Sequence, residues 1–172
     1  MFINYIKELS LKKILNSTLQ QVKDAPIVNS VKKVGLLLDD SYPFKKEELI
    51  NELINNGFKR DNIKILLYKD KLVKDLNLGY PVFSFKDINW KGEFSAPFVN
   101  EFIYTSFDLL ISYYDQGKAP LVLVTHNSKA LFKVGFCSVD KRLNHLMINT
   151  NAQNFKVFVQ ELFKYLKILK KI

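Results

Sequence analysis

The sequence predicts an α/β domain on an open, three-layer, mostly parallel sheet of the Rossmann-like or flavodoxin-like kind, with an N-terminal helical extension and a C-terminal amphipathic helix. Short continuous apolar runs recur along the chain, such as Leu36-Leu37-Leu38 and Leu109-Leu110-Ile111, and runs without polar alternation suit strands buried on both faces of a parallel sheet. Segments with helical spacing lie between them, and this alternation implies right-handed βαβ crossovers. Hydrophobic residues make up 48% of 172 residues and charged ones 25%, enough apolar surface for one core without disulfides or structural metals.

Taken in order, Phe2, Ile6 and Leu9, then Leu11, Ile14, Leu15, Thr18, Leu19 and Val22 recur at helical spacing with a phase shift. Ser10 is read as the break or a local N-cap. Asp24-Ala25-Pro26 ends the helix, because proline forces its predecessor out of the helical region, and Asn29-Ser30 follow as linker. This divides a basic helical segment over 1–28 from an α/β domain over 29–172. Val31 to Leu38 is the first strand and runs into Asp39-Asp40-Ser41. Pro43, with Glu47 and Glu48 in the first turn, opens a helix through Leu49, Leu53 and Ile54 that Gly57 caps. Asn62 to Tyr68 is the second strand. Gly79, Pro81, Gly92 and Pro97 punctuate the aromatic-rich stretch 69–97, which holds a short strand near Val82–Phe85. A helix from about Phe98 to Ser106 leads into a strand over Phe107–Ser112. Leu121 to Val124, between Pro120 and Thr125-His126-Asn127-Ser128, reads as the next strand, and Phe132–Phe136 and Leu146–Ile148 as two more. In the last helix Thr150 and Gln153 form a capping-box signature. There Phe155, Phe158, Val159, Leu162, Leu166 and Leu169 make one apolar stripe, opposite Lys156, Gln160, Lys164, Lys167 and Lys171.

The net charge is +9, and residues 1–35 (six Lys, two acids) and 152–172 (five Lys, one acid) each contribute +4 of it. If the two ends pack side by side, Lys7, Lys12, Lys13, Lys156, Lys164, Lys167 and Lys171 form one positive face for an acidic partner, with RNA or a ribonucleoprotein foremost and an acidic protein next. Tyr80, Phe83, Phe85 and Trp90, interleaved with Lys86 and Lys91, would add stacking on unpaired bases, or else cover a sheet edge. The alternative for the lysines is two ordinary solvated stripes. Phe2, Ile3, Ile6 and Leu9 give the first helix a face for peripheral membrane contact, a third reading. With a single cysteine, no signal-peptide pattern and no apolar run of transmembrane length, the expected location is cytoplasmic.

Catalytic chemistry is sought at the carboxyl ends of the strands. On the strand reading of 121–124, His126 lies beside Asp39 or Asp40, a base oriented by a carboxylate, with Ser128 or Thr125 as the hydroxyl. Asp39, His126 and Ser128 are therefore the candidate catalytic residues, against the plainer reading in which such residues cap and turn the chain. Neither glycine-rich phosphate motif occurs, so no nucleotide cofactor is expected. Asp39 and Asp40 as a Mg²⁺ pair are weakened because neighbours on a strand point to opposite faces. His126, His145 and Cys137 match no zinc spacing, so no metal is expected, and Cys137 reads as a small core residue.

Phe107-Asp-Leu-Leu-Ile-Ser-Tyr-Tyr114, Ser128-Lys-Ala-Leu-Phe-Lys-Val-Gly-Phe136 and Phe158-Val-Gln-Glu-Leu-Phe-Lys-Tyr-Leu-Lys-Ile-Leu169 resemble a family of small bacterial α/β proteins known only as a domain of unknown function. The resemblance covers nearly the whole chain and implies a cytosolic, stand-alone domain without assigning catalytic residues. The order of an Asp-Leu-Leu-Ile strand, a small-residue turn and Lys-Val-Gly-Phe is also similar to one half-domain of heptosyltransferase-like GT-B glycosyltransferases. Those enzymes use a second Rossmann-like domain for the sugar nucleotide, for which 172 residues leave no room. Two functions are carried forward: a binding or accessory domain acting through the basic terminal helices, and a small enzyme working at the strand ends on an anionic or sugar-like substrate.

Overall fold

The computed structural model describes residues 2–25, 30–72 and 79–172. The linker residues Pro26 and Asn29 lie outside them. Within the described residues, six parallel strands form one sheet: β1 (Val34–Asp39), β2 (Ile63–Tyr68), β3 (Val82–Phe83), β4 (Leu109–Tyr113), β5 (Phe132–Phe136) and β6 (Leu146–Ile148). Their spatial order is β3-β2-β1-β4-β5-β6. Val34 of β1 sits level with Ile63 on one side and Leu109 on the other. This is the doubly wound order, in which the chain winds outward from the centre in both directions and leaves a crevice between the carboxyl ends of β1 and β4.

Among the described residues five α-helices cover the faces: α1 (Phe2–Thr18), α2 (Lys46–Asn55), α3 (Pro97–Tyr104), α4 (Ala119–Asn127) and α5 (Phe155–Ile168). The alternation of strand side chains divides the core in two. Leu36, Leu38, Ile65, Ile111 and Val134 pack with α2 and α5, around Leu49, Phe158 and Leu162. Leu37, Leu66 and Leu110 pack with α1, α3 and α4, around Leu11, Leu15, Val99 and Phe102. Gly35 lets β1 lie against α3's end of the core, because a Cβ there would stand 2.8 Å from the Phe107 ring.

The order of elements follows the sequence reading with several differences, of which the first is that α1 ends at Thr18, short of the stop read at Asp24-Ala25-Pro26. Leu121–Val124 is not a strand but the middle of α4, whose residues Ala119 to Thr125 are all buried. A helix sunk in a core is apolar all round, so a four-residue window carries no period that separates it from a buried strand. The topology decides: parallel β4 and β5 need a crossover, and α4 is that crossover. Ser10 does not break α1; its Oγ donates to the Trp90 carbonyl at 3.1 Å and the helix runs through. The capping box at Thr150 does not form, since α5 starts at Phe155 with Asn154 as N-cap, and Asn151 Oδ1 instead accepts from Gln153 N. The apolar stripe of α5 is buried through Leu166, whereas Leu169 is exposed.

Three hydroxyls fasten α4 to the sheet. Thr125 Oγ1 lies 3.0 Å from Ser112 Oγ and 2.7 Å from Tyr114 Oη, all of them buried. Lys133 of β5 caps the helix, its Nζ donating to the carbonyls of Thr125 (2.7 Å) and His126 (3.3 Å). The four orphan carbonyls at a helix C-terminus need donors when buried, and a lysine supplies three.

Candidate functional site at the strand-end switch point

The carboxyl ends of β1, β2 and β4 bring together Asp39, Asp40, Ser41, Asp70, Lys69 and Tyr113. Lys118, the N-cap residue of α4, is the hub. Its Nζ contacts Asp39 Oδ2 and Asp70 Oδ2, each at 2.8 Å, and lies over the rings of Tyr42 (4.8 Å) and Tyr68 (5.5 Å). Asp39 Oδ1 accepts from Ser41 N at 3.0 Å, and Ser41 Oγ accepts from Asp70 N at 3.0 Å. Asp40 turns the other way, to Lys46 (3.3 Å) and Lys69 (3.2 Å). The two adjacent aspartates thus serve different partners, as the strand pleat requires.

Burial lowers the affinity of Lys118 for its proton, but hydrogen bonds and attraction from Asp39 and Asp70 outweigh it and leave the pKa raised. The Tyr68 and Tyr113 phenols are pushed well above their ordinary pKa, first by burial and then by Asp70 and Asp115 respectively. Both remain neutral donors at physiological pH.

Between β1 and β4 opens a cavity of about 390 Å³ lined by Asp39, Tyr42, Pro43, Phe44, Tyr113, Tyr114, Asp115, Gln116, Ala152 and Gln153. Phe44 stacks on Tyr113 at 5.3 Å, and Tyr113 Oη donates to the Ala152 carbonyl at 2.7 Å, which ties the start of α5 to the rim. Asp115 Oδ2 accepts from Ala152 N at 2.9 Å. Its Oδ1 has no partner among the described residues. Beyond Lys118 a second hollow of about 460 Å³ is lined by Tyr5, Glu8, Tyr68, Asp70, Phe85 and Pro120, among others. Among the described residues no three metal-ligating side chains converge, and each of Asp39, Asp40 and Asp70 faces a lysine.

The catalytic trio read from the sequence is divided. Asp39 stands at the switch point, while His126 and Ser128 lie where α4 runs back to the opposite edge of the sheet. There they line a hollow of about 760 Å³ with Glu93, Asn100 and Tyr104, and a smaller one of about 370 Å³ with Lys133 and His145. The cause is the misread helix, since a strand over 121–124 would have delivered His126 to the edge that holds Asp39. At this far edge burial lowers the pKa of His126 and His145, and brings that of Lys133 down to about 8. His145 is held by Lys133 N at Nδ1 (2.9 Å) and faces the Lys23 carbonyl at Nε2 (2.8 Å), so both ring nitrogens are occupied. Cys137 is exposed just past β5 and is not a core residue.

The terminal lysines do not merge into one face, because α1 and α5 pack on opposite sides of the sheet. Lys7 is buried, its Nζ donating to the Phe85 carbonyl at 2.7 Å, and Lys171 is buried over the Phe132 ring at 4.7 Å. Lys12 pairs with Glu8 and Lys164 with Glu161. Lys13 is exposed on α1. Lys156, Lys164 and Lys167 line a groove that also holds Glu52 of α2.

Lys118, Tyr42, Asp115, Gln116 and Gln153 escaped the sequence reading. The signal was Asp115-Gln-Gly-Lys118, a polar turn straight after a buried strand, which becomes the strand-end loop once 119–127 is read as helix. No helix among the described residues is long and apolar enough to cross a membrane. No curated protein and no solved structure matches the chain. A family model does match, over residues 7–169, and the chain therefore belongs to DUF6913, a family of unknown function.

Proposed function

We propose that this chain is a binding domain for a small, neutral, polyhydroxylated ligand of the sugar class, held in the crevice between β1 and β4. The lining of that crevice carries the reading. Tyr42 and Phe44, the latter backed by the buried Tyr113, offer aromatic surface for the apolar face of a ring, while Asp115, Gln116 and Gln153 offer acceptors and donors for hydroxyls. Asp115 Oδ1 is one acceptor there that no described residue engages.

Charge argues against the anionic alternative. Among the described residues no lysine lines this crevice, and Asp39 and Asp115 both do. At the start of α2, where a doubly wound domain holds phosphate, the first turn carries Glu47 and Glu48 instead of glycines. Lys118, which pairs with the lining residue Asp39, is taken by Asp39 and Asp70. Contact with RNA through the terminal lysines has less support, since those lysines lie on two faces and several are paired or buried.

Ligand-observed NMR with a panel of neutral methyl glycosides, a polyamine and a sugar phosphate tests this. Saturation transfer is expected to a glycoside, and to be lost in Asp115→Ala and Gln153→Ala. Transfer only to the polyamine or to the phosphate, or none to any glycoside, overturns it.

A further inference from the structure

Helix α1 is apolar on two sides. Leu11 and Leu15 are buried against α4, as a helix packed on a domain requires. Leu9, only two residues before Leu11, points about 200° away from it at 3.6 residues per turn. Phe2 and Ile6 share that outward side, and Phe2 is 75% exposed, Ile3 68% and Leu9 48%. Aliphatic and aromatic surface gathered on one exposed helix face is unusual for a lone soluble domain and marks a contact surface.

What surrounds the patch identifies the occupant. Trp90 is 45% exposed, and its carbonyl accepts from Ser10 Oγ, so the turn that carries it lies beside α1. Tyr5 is exposed on the same helix. Lys13 and Lys91 are exposed there without an ion pair among the described residues, while Glu8, the single acid of α1, is matched by Lys12. An aliphatic centre with tryptophan, tyrosine and lysines around it is the chemistry of the bilayer interface: rings at headgroup depth, aliphatic chains below them and cations against acidic headgroups. A second copy of this chain fits worse, since a two-fold contact through this face sets Lys13 and Lys91 against like charges. Single-stranded nucleic acid fits worse too: it would stack on Phe2, Tyr5 and Trp90 but leave the exposed aliphatic side chains of Ile3, Ile6 and Leu9 uncovered.

We infer that the outward face of α1, with Trp90 at its side, docks this protein reversibly onto anionic lipid membrane. The inference does not rest on the crevice reading. One short helix without a spanning segment gives weak attachment that depends on lipid charge.

The test uses the full chain with vesicles of phosphatidylglycerol and phosphatidylcholine, and with vesicles of phosphatidylcholine alone. Trp90 is the only tryptophan, so its emission reports the patch directly. The expected result is a blue shift and cosedimentation with the anionic vesicles, both reversed by high salt. Ile6→Ser with Leu9→Ser is expected to weaken partitioning by about tenfold or more, since it removes two aliphatic side chains from the inserting face, with an unchanged circular dichroism spectrum. Should that variant not fold, Lys13→Glu with Lys91→Glu is expected to abolish the preference for anionic lipid while leaving the core untouched. Equal binding to both lipids, no binding to either, wild-type binding by the charge-reversed variant, or self-association in sedimentation velocity that the Ile6→Ser change removes, overturns the inference.

Discussion

Lys118→Met keeps the length of the side chain and removes its charge from the switch point. Asp39 then stays behind with a side chain only 9% exposed, holding a single hydrogen bond from Ser41 N, and Asp70, 47% exposed, turns to water. Removing one partner of a buried pair costs about 3–5 kcal/mol, and the exposed Asp70 contact adds under about 1 kcal/mol. Lys118 is itself 16% exposed, and Ser41 N still solvates the carboxylate, which places the expected loss at roughly 2–4 kcal/mol. At this size that is a fall of roughly 5–15 °C in Tm. Urea denaturation followed by far-UV circular dichroism measures it. The double variant Lys118→Met, Asp39→Asn has no stranded charge and should regain at least about 1 kcal/mol over Lys118→Met alone. The pH dependence has a definite sign: the folded pKa of Lys118 is raised. Its contribution is therefore complete below the unfolded value of about 10.4 and fades as pH rises above that, so the deficit of the variant shrinks as pH rises through that range. A loss below about 0.5 kcal/mol, the range of ordinary surface substitutions, or a double variant that is simply additive, refutes the ion cluster as an organising feature of the crevice.

Gly35→Ala sets a Cβ 2.8 Å from the Phe107 ring and should cost about 1–3 kcal/mol by overpacking, read as a lower urea midpoint. Thr125→Val takes the partner from the buried Ser112 hydroxyl and leaves Tyr114 Oη with the Leu121 carbonyl at 3.4 Å; the expected loss is about 1–3 kcal/mol, and Tyr114→Phe in the same background should recover part of it. The pKa of Lys133, lowered to about 8 in the fold, means that the unfolded chain binds the proton more tightly. Stability limited by this group should then rise by about 1–3 kcal/mol between pH 8 and about 10.4. Chemical denaturation across that range should show the rise in the native chain and not in Lys133→Met.

How much of this was legible in the sequence depended on the kind of signal. The strands at β1, β2 and β4 were readable because their apolar runs end in abrupt polar turns, as at Leu38-Asp39 and Tyr68-Lys69. The stripe of α5 was readable because one face meets water. α4 was not, because burial on every side removes the contrast on which periodicity depends. That single misreading carried His126 to the wrong edge and hid Lys118, which is a site residue only because a helix begins at Ala119. The basic termini failed for a different reason: composition gives the charge of α1 and α5 but not the face of the sheet each one takes, and topology sends them to opposite faces.

The most direct test of the ligand site at the switch point is an amide-resolved NMR titration of the native chain with the glycoside that gives saturation transfer. Binding in the crevice should move the amides of Tyr42, Asp115, Gln116 and Gln153 together, with one dissociation constant. Shifts centred on His126, Ser128 and Asn100 at the opposite edge, or spread without a centre, would contradict it.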